Sequence, residues 1–421
     1  VTLADPAGPA VIVDPFSSGG MYAPAFKEAG VPVVAVLSSP DMPEVYRASF
    51  HPEDFPEVIT YDGDLDAVVA RLRELGPRCV LPGAESGVEL ADLLAEQVTE
   101  DRANVPATRA ARRHKWEMAE AARLAGLPVI RQICTDDPDE VAAWIEREGL
   151  QGRDLVVKPP KSASTDGVTR VREDWREVFE AQLGRPNQWR IVNDRMLVQE
   201  FVTGVEYVVD VFSHDGVHTV TDLCRYSKVD NGEHMAVYDA MEWVAPDEPA
   251  VPELVAYVRA FLDAVGFRYG AAHVEVMLTE DGPRLIELNA RPHGGGQPRF
   301  CRVATGDSQI DRAVRYFTGA GELPEHYELQ NATLVVFLIS RAAGIVRNAE
   351  CLEEIGKLAT HHAHVVGVAN GDRLEVTKDL LNTLSLGFAV LAGPDREQTW
   401  SDYQEVRRIE AGLIVTEEPA P

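Results

Sequence analysis

The stretch HVEVMLTEDGPRLIELNARPHGGGQ (His273–Gln297) decides how this chain is read. Two apolar runs, HVEVML and RLIELN, flank Asp281-Gly282-Pro283, so the pattern predicts a β-hairpin with its turn at those residues. Carboxylates on such strands are costly unless something neutralises them. Yet Glu275 stands on the first strand, and Glu287 and Asn289 stand on the second. Side chains alternate along a strand, so Glu287 and Asn289 share a face, and Glu275 comes within reach from the neighbouring strand. Two carboxylates and an amide oxygen make a hard oxygen site, suited to Mg2+ with Mn2+ as a substitute. Arg291 follows as a bidentate anion binder. His293 comes next and is expected to face the site. Gly294, Gly295 and Gly296 then let backbone approach a ligand closely.

Upstream, residues 10–108 alternate strand and helix, which predicts a doubly wound parallel sheet in an N-terminal domain spanning 1–108. Ligands sit beyond the carboxyl ends of such strands. Ser17-Ser18-Gly19-Gly20 and Gly83-Ala84-Glu85-Ser86-Gly87 occupy that position. Two readings of Glu85 stay open: a partner for a substrate ammonium, or a helix-start acid favoured by the dipole. No G-x-G-x-x-G is present, so dinucleotide binding is not indicated.

The core is read over 109–320, divided into lobes at about 128–203 and 204–320. ATRAARRHKWEMAEAARLAGLPV (Ala107–Val129) has the spacing of one amphipathic helix, closed by Gly126 and Pro128. In DLVVKPPKSASTDGVTRV (Asp154–Val171) a buried strand delivers Lys158, and two prolines stiffen its exit. The small residues Ser162, Ala163, Ser164, Thr165 and Gly167 then offer N–H groups and hydroxyls to phosphate oxygens. It is not a Walker loop, since no GxxxxGK[ST] occurs. MLVQEFVTGVEYVVDVFS (Met196–Ser213) reads as two strands about Thr203-Gly204. Arg225, Lys228 and His234 flank Asp230-Asn231-Gly232, a hairpin tip. They either hold a substrate and assist phosphoryl transfer or belong to a solvated loop. His273 reads as a packed strand residue. Residues 321–421 read as a small α+β tail with no catalytic motif. Its HHAH (His361–His364) lacks partners spaced to finish a metal site.

Composition narrows the function classes. A formal charge of −28 disfavours nucleic acid and anionic membrane as partners. No run of eighteen apolar residues predicts a membrane span, and VTLADPAGPA lacks the basic start and apolar core of a signal peptide. Five scattered cysteines without CxxC fit a reduced, cytoplasmic setting. His293-Gly294-Gly295-Gly296 matches an esterase oxyanion motif, but no G-x-S-x-G accompanies it.

Taken with the lysine loop, the E-x(11)-E-x-N-x-R pattern resembles the metal-binding end of the ATP-grasp superfamily. That resemblance implies an α/β fold: an N-terminal doubly wound sheet, a two-lobed ATP-grasp core and a small C-terminal α+β cap. It implies an ADP-forming carbon–nitrogen ligase that activates a carboxylate as an acyl phosphate. Glu275, Glu287 and Asn289 would hold Mg2+. Lys115, Lys158, Ser162, Ser164, Thr165 and Gly167 would serve the ATP phosphates. The backbone from Gln199 and Glu200 to Val202 would meet adenine, and Glu206 the ribose. Arg291, His293 and Lys158 would be catalytic. Glu85, Arg225, His234, Arg291, Gly294 and Gly295 would contact small-molecule substrates. The DPFSSGG, KPPKSASTDGV and ELNARPHGGG segments look most like L-amino acid ligases that make dipeptides or natural-product amides. The alternatives are a ligase joining a non-amino organic acid to an amino acid, and carboxylase or purine-pathway relatives. A homodimer is compatible with this reading.

Overall fold

The computed structural model describes residues 8–41, 46, 48–162, 166–187, 191–231, 234–378 and 380–416, with backbone alone at 234–236 and 380–381. Ser164, Thr165 and the side chain of His234 therefore lie outside the described residues.

Near the N-terminus, β1 (Ala10–Val13), β2 (Val33–Leu37), β3 (Glu57–Thr60) and β4 (Cys79–Pro82) form a parallel sheet in the order β3-β2-β1-β4. Every residue of β1 is buried, as expected of a strand covered on both faces. Tyr22 and Phe26 of α1 (Tyr22–Glu28) cover one face. Leu72 of α2 (Leu65–Leu75) and Leu94 of α3 (Val88–Val98) cover the other. The edge strand β3 is half exposed along its length, which hid it from the apolar pattern.

The single helix predicted over 107–129 is broken. A 3-10 turn, Pro106–Arg112, precedes α4 (Lys115–Leu124). Arg112 supplies the reason. Fully buried, it donates to Asp92 Oδ2 at 2.7 Å, Thr108 Oγ1 at 3.0 Å, and the carbonyls of Val265 at 2.8 Å and Val105 at 3.0 Å. Lys115 N then donates to Pro160 O at 3.0 Å. These tertiary bonds outweigh helix propensity and start α4 at Lys115.

An antiparallel sheet follows, ordered β5-β8-β6-β7: β5 (Gln132–Thr135), β6 (Leu155–Lys158), β7 (Thr169–Val171) and β8 (Met196–Glu200). Trp144 of α5 (Pro138–Arg147) and Phe179 of α6 (Trp175–Gln182) pack on Val157 and Val198 to give this lobe its own core.

The largest sheet has eight strands. It contains β9 (Val205–His214), β10 (Val217–Asn231), β11 (His234–Trp243), β12 (Gly270–Thr279), β13 (Gly282–Asn289) and β14 (Ala332–Phe337). Past β15 (Gly344–Val346) come β16 (His361–Val366), β17 (Arg373–Leu374) and β18 (Gly387–Gly393). The order is β13-β12-β9-β10-β11-β14-β18-β16, antiparallel at each pairing. Thus the stretch expected to form the cap extends this sheet through β14, β18 and β16. With β19 (Val415–Thr416), β15 and β17 form a separate three-stranded sheet. Leu254, Val258 and Phe261 of α7 (Val251–Ala264) pack on Val209, Val274 and Leu288. Beyond β13 run α8 (Gln297–Thr305) and α9 (Gln309–Thr318). Ile310, Ala313 and Phe317 of α9 join the cluster of Ile12 and Phe26, fastening the large sheet to the N-terminal one. Among the described residues, no helix is long and apolar enough to cross a membrane.

The predicted hairpin is β12–β13, but its turn is Glu280-Asp281. Gly282 already begins β13, and Pro283 pairs with Leu278. Because β13 is a sheet edge, a proline there costs little ladder pairing.

Candidate active site

A cavity of about 480 Å3 lies where the N-terminal sheet, the small lobe and the large sheet meet. The loop after β1 brings Ser17 and Ser18 to it, and the loop after β4 brings Glu85. Lys158 arrives at the end of β6, and Lys115 at the start of α4. Gln199, Val202 and Glu206 border it from the β8–β9 connection, and Tyr226 and Lys228 from β10. Glu275, Glu287 and Asn289 border it from the hairpin, with Arg291, His293, Gly294 and Gly295 just beyond.

Strand register sets the acidic end. Glu275 stands directly opposite Glu287, and His273 opposite Asn289. Asn289 Nδ2 donates to Glu287 Oε1 at 3.1 Å, while Asn289 Oδ1 accepts from Arg291 at 3.1 Å. Lys115 Nζ lies 2.8 Å from Glu287 Oε2 and donates to Ser162 O at 3.1 Å. Burial opposes ionisation of Glu287, but Lys115 and Lys158 outweigh it and bring its pKa down to about 2. The donors are hard oxygens, each carboxylate is held by a protein cation, and a triphosphate could complete the coordination. The set fits Mg2+ in chemistry.

Lys158 is buried, and burial, followed by the charge of Lys115, lowers its pKa to about 8. Glu206 and Lys228 pair across neighbouring strands at 2.7 Å, and the Lys228 ammonium lies 4.4 Å from the Tyr238 ring centroid. Burial pushes the Glu206 pKa up, with Lys228 pulling the other way. Ser162 borders the cavity, and so does Val168 beside Gly167.

At the opposite end, Arg291 Nε lies 3.3 Å from Glu85 Oε2, and Arg113 lies 3.3 Å from Glu85 Oε1. Glu85 is buried, and its Oε2 has no hydrogen-bond partner among the described residues. The glycine run closes against the N-terminal sheet: Gly295 N donates to Ser17 Oγ at 3.1 Å and Gly296 N to Ser18 Oγ at 2.9 Å. Gly295 and Gly296 hold φ of +64° and +75°, a left-handed conformation that side chains resist.

One expected contributor is turned elsewhere. Arg225 does not border the cavity; it pairs with Glu242 and, at 3.5 Å, with Glu248. The Glu200 side chain is held by Arg131 at 2.5 Å, since period-two alternation points it away from Gln199; its expected contribution was through the backbone.

Sequence reasoning missed one polar chain. Register places Asp210 of β9 opposite His273 of β12. Asp210 Oδ1 meets His273 Nδ1 at 2.9 Å, and its Oδ2 meets His293 Nδ1 at 2.7 Å. His273 Nε2 reaches Glu275 at 3.2 Å, and His293 Nε2 reaches the Tyr226 hydroxyl at 3.2 Å. Burial works against a charged His273, but Asp210 and Glu275 outweigh it and raise its pKa to about 9. Burial, followed by the His273 charge, lowers His293 to about 4. At neutral pH His273 is therefore charged and His293 is neutral. The available signal was an aspartate within the otherwise apolar YVVDVF.

Residues 151–298 match the ATP-grasp domain family. Dapdiamide A synthase of Enterobacter agglomerans is 29% identical over 416 residues, covering 94% of this chain and 95% of that protein. A D-alanine–D-alanine ligase of Coprothermobacter proteolyticus is 26% identical over 62% of this chain and 85% of its own length. The crystal structure of an L-amino acid ligase from Bacillus licheniformis superposes with a TM-score of 0.73 at 17% identity, covering 98% of this chain and 99% of that one. The matched domain, the full-length relative and the shared fold agree: residues 151–298 carry an ATP-grasp domain, and the chain is an ADP-forming ligase.

Proposed function

We propose that this ligase activates the carboxylate of one small molecule with ATP and couples it to the amine of another, an α-amino acid being at least one of the two. One observation carries the reading. The Arg291–Glu85 pair shares a cavity with three lysines, two glutamates and an asparagine suited to a metal–triphosphate complex. A zwitterion matches that pair: its carboxylate suits Arg291 and its ammonium suits Glu85. The names of two relatives, dapdiamide A synthase and L-amino acid ligase, point the same way.

In this reading Lys115, Lys158 and Lys228 hold the triphosphate. The backbone from Gln199 to Val202 bonds the adenine edge, and Glu206 takes the ribose hydroxyls. Glu275, Glu287 and Asn289 hold Mg2+ or Mn2+, which when bound would neutralise charge developing between the phosphates. Arg291 and the Gly294-Gly295 backbone position the substrate carboxylate for attack on the γ-phosphate and stabilise the acyl phosphate. Phosphoryl transfer depends mostly on such positioning and electrostatics. An amine then displaces phosphate.

The test is phosphate release over a matrix of amino acids and small carboxylic acids, with mass detection of the product. Amide products containing an amino acid are expected. Glu85→Ala should raise the amino-acid KM by about tenfold, equivalent to about 1.4 kcal/mol. Turnover only with des-amino acids as the activated partner, or an unchanged KM, would overturn the pairing.

A further inference from the structure

We infer that Tyr226, His293 and Asp210 form a proton relay that converts the incoming ammonium into the free amine needed for attack. The inference rests on the carboxylate–amine ligase reading. An ammonium has no lone pair, so coupling at neutral pH requires a proton acceptor beside the acyl phosphate. Glu85 is already flanked by two arginines, and the glutamates at the metal end each contact a cation or an amide donor.

The geometry of the chain fixes its proton positions. Asp210 faces the Nδ1 atoms of both histidines, at 2.9 Å for His273 and 2.7 Å for His293. As a carboxylate it accepts, so Nδ1 of His293 carries a hydrogen. In neutral His293, Nε2 is then a lone-pair acceptor, and the Tyr226 hydroxyl 3.2 Å away donates to it. The imidazole cannot swing freely. Its backbone N–H is fixed on Gln309 Oε1 at 2.9 Å, and its ring centroid lies 4.0 Å from that of His273. Tyr226 stands edge-on to Tyr238 with centroids 5.0 Å apart, which holds the phenol at the cavity wall. The charged and titratable groups facing His293 are thus Asp210 from β9, Tyr226 from β10, His273 from β12 and Arg291 from its own loop.

The step balances as follows. One ammonium proton passes to the Tyr226 oxygen while the Tyr226 proton passes to His293 Nε2, where it is held only transiently: burial and the charge of His273 oppose the imidazolium, and Asp210 offsets part of that. The freed nitrogen lone pair forms the C–N bond. The C–O bond to phosphate breaks, its electron pair leaves with phosphate, and phosphate takes the second nitrogen proton. His293 later returns its proton to solvent.

Hydroxylamine is a free base at neutral pH and intercepts acyl phosphates without needing the relay. The experiment compares hydroxamate formation with amino-acid coupling in the wild type, Tyr226→Phe and His293→Gln. Coupling is expected to fall on the order of 100-fold relative to hydroxamate formation in both variants. In Tyr226→Phe the deficit should shrink as pH rises and the amine loses its own proton. Hydroxamate formation reports that each variant is folded and still activates its carboxylate. Equal losses in both reactions, no loss in either, or a deficit that does not vary with pH would overturn the relay. If wild-type enzyme gave no hydroxamate with any carboxylate, the ligase reading would fail and take the relay with it.

Discussion

Replacing Glu287 by Gln probes the acidic end of the cavity while preserving its shape. The carboxylate lies 2.8 Å from Lys115 Nζ, a gross attraction of about 6 kcal/mol at an effective dielectric of about 20. Most of that is offset in the variant, because the glutamine oxygen still accepts from Lys115, which also keeps its bond to Ser162 O. The larger effect falls on the bound metal, which loses one of two negative ligands. A metal clamp supplies several kcal/mol of transition-state stabilisation. Losing about 2.7 kcal/mol corresponds to about 100-fold in rate at 1.36 kcal/mol per decade. Steady-state ADP release across a Mg2+ titration measures this, with thermal unfolding as the check on folding. A turnover loss of at least ~100-fold with a Tm change below about 5 °C is expected. Near-normal Mg2+-dependent turnover would refute the assignment of Glu287 as a metal ligand.

Other perturbations address separate parts of the molecule. Because Lys158 titrates near 8, nucleotide affinity measured by calorimetry should weaken as pH rises through that value, and Lys158→Met should remove the dependence. Arg112→Met takes the cation from the largely buried Asp92 carboxylate and one donor each from the Val265 and Val105 carbonyls, and should cost about 3–5 kcal/mol in denaturant unfolding. A Cβ on Gly19 would lie 2.3 Å from Gly83 Cα, so Gly19→Ala must part the two N-terminal loops; a loss of about 1–3 kcal/mol is expected in the same assay. Burial raises the Asp222 pKa to about 7, so the folded state holds a proton that the unfolded state releases near 4. Stability should therefore fall as pH rises towards 7 and then level off, and Asp222→Asn should flatten that slope in pH-resolved thermal melts.

The hairpin and the lysine strand were legible because their chemistry is local. Glu275, Glu287 and Asn289 lie within one two-stranded unit, so period-two alternation alone aligns them. Lys158 ends an apolar strand, which marked it equally well. Contacts between distant segments left no such mark. Asp210 meets His293 across 83 residues of chain, and Arg225 is drawn to Glu242 by the register of β10 on β11. Neither pairing follows from periodicity. The break before α4 was hidden for the same reason: the acceptors that take Arg112 include Val265, 153 positions away. The apolar runs NATLVVFLIS, HAHVVGV and SLGFAVLAGP read as strands and form β14, β16 and β18, but their place in the large sheet depends on pairing order, which a single sequence does not display.

Charge pairing around the cavity explains how so many ionisable groups coexist there. Glu287 is held by Lys115, Glu206 by Lys228, Glu275 by His273, and Glu85 by Arg291 and Arg113. Leaving any one of these buried carboxylates unpaired would be strongly unfavourable. On the proposed reading, ligand entry is an exchange of partners. The triphosphate takes the lysines while the metal takes the glutamates, and the substrate carboxylate takes Arg291 while its ammonium takes Glu85. Each incoming ion replaces one of like sign, so the cavity stays near neutrality throughout. Metal without nucleotide would displace cations that then have nowhere to go. Nucleotide without metal would strand the glutamates. The two should therefore bind with strong mutual dependence. Calorimetric titration of ATP with and without Mg2+ measures that coupling, and affinities equal within a factor of two would show that the protein's own ion pairs are not the ones exchanged.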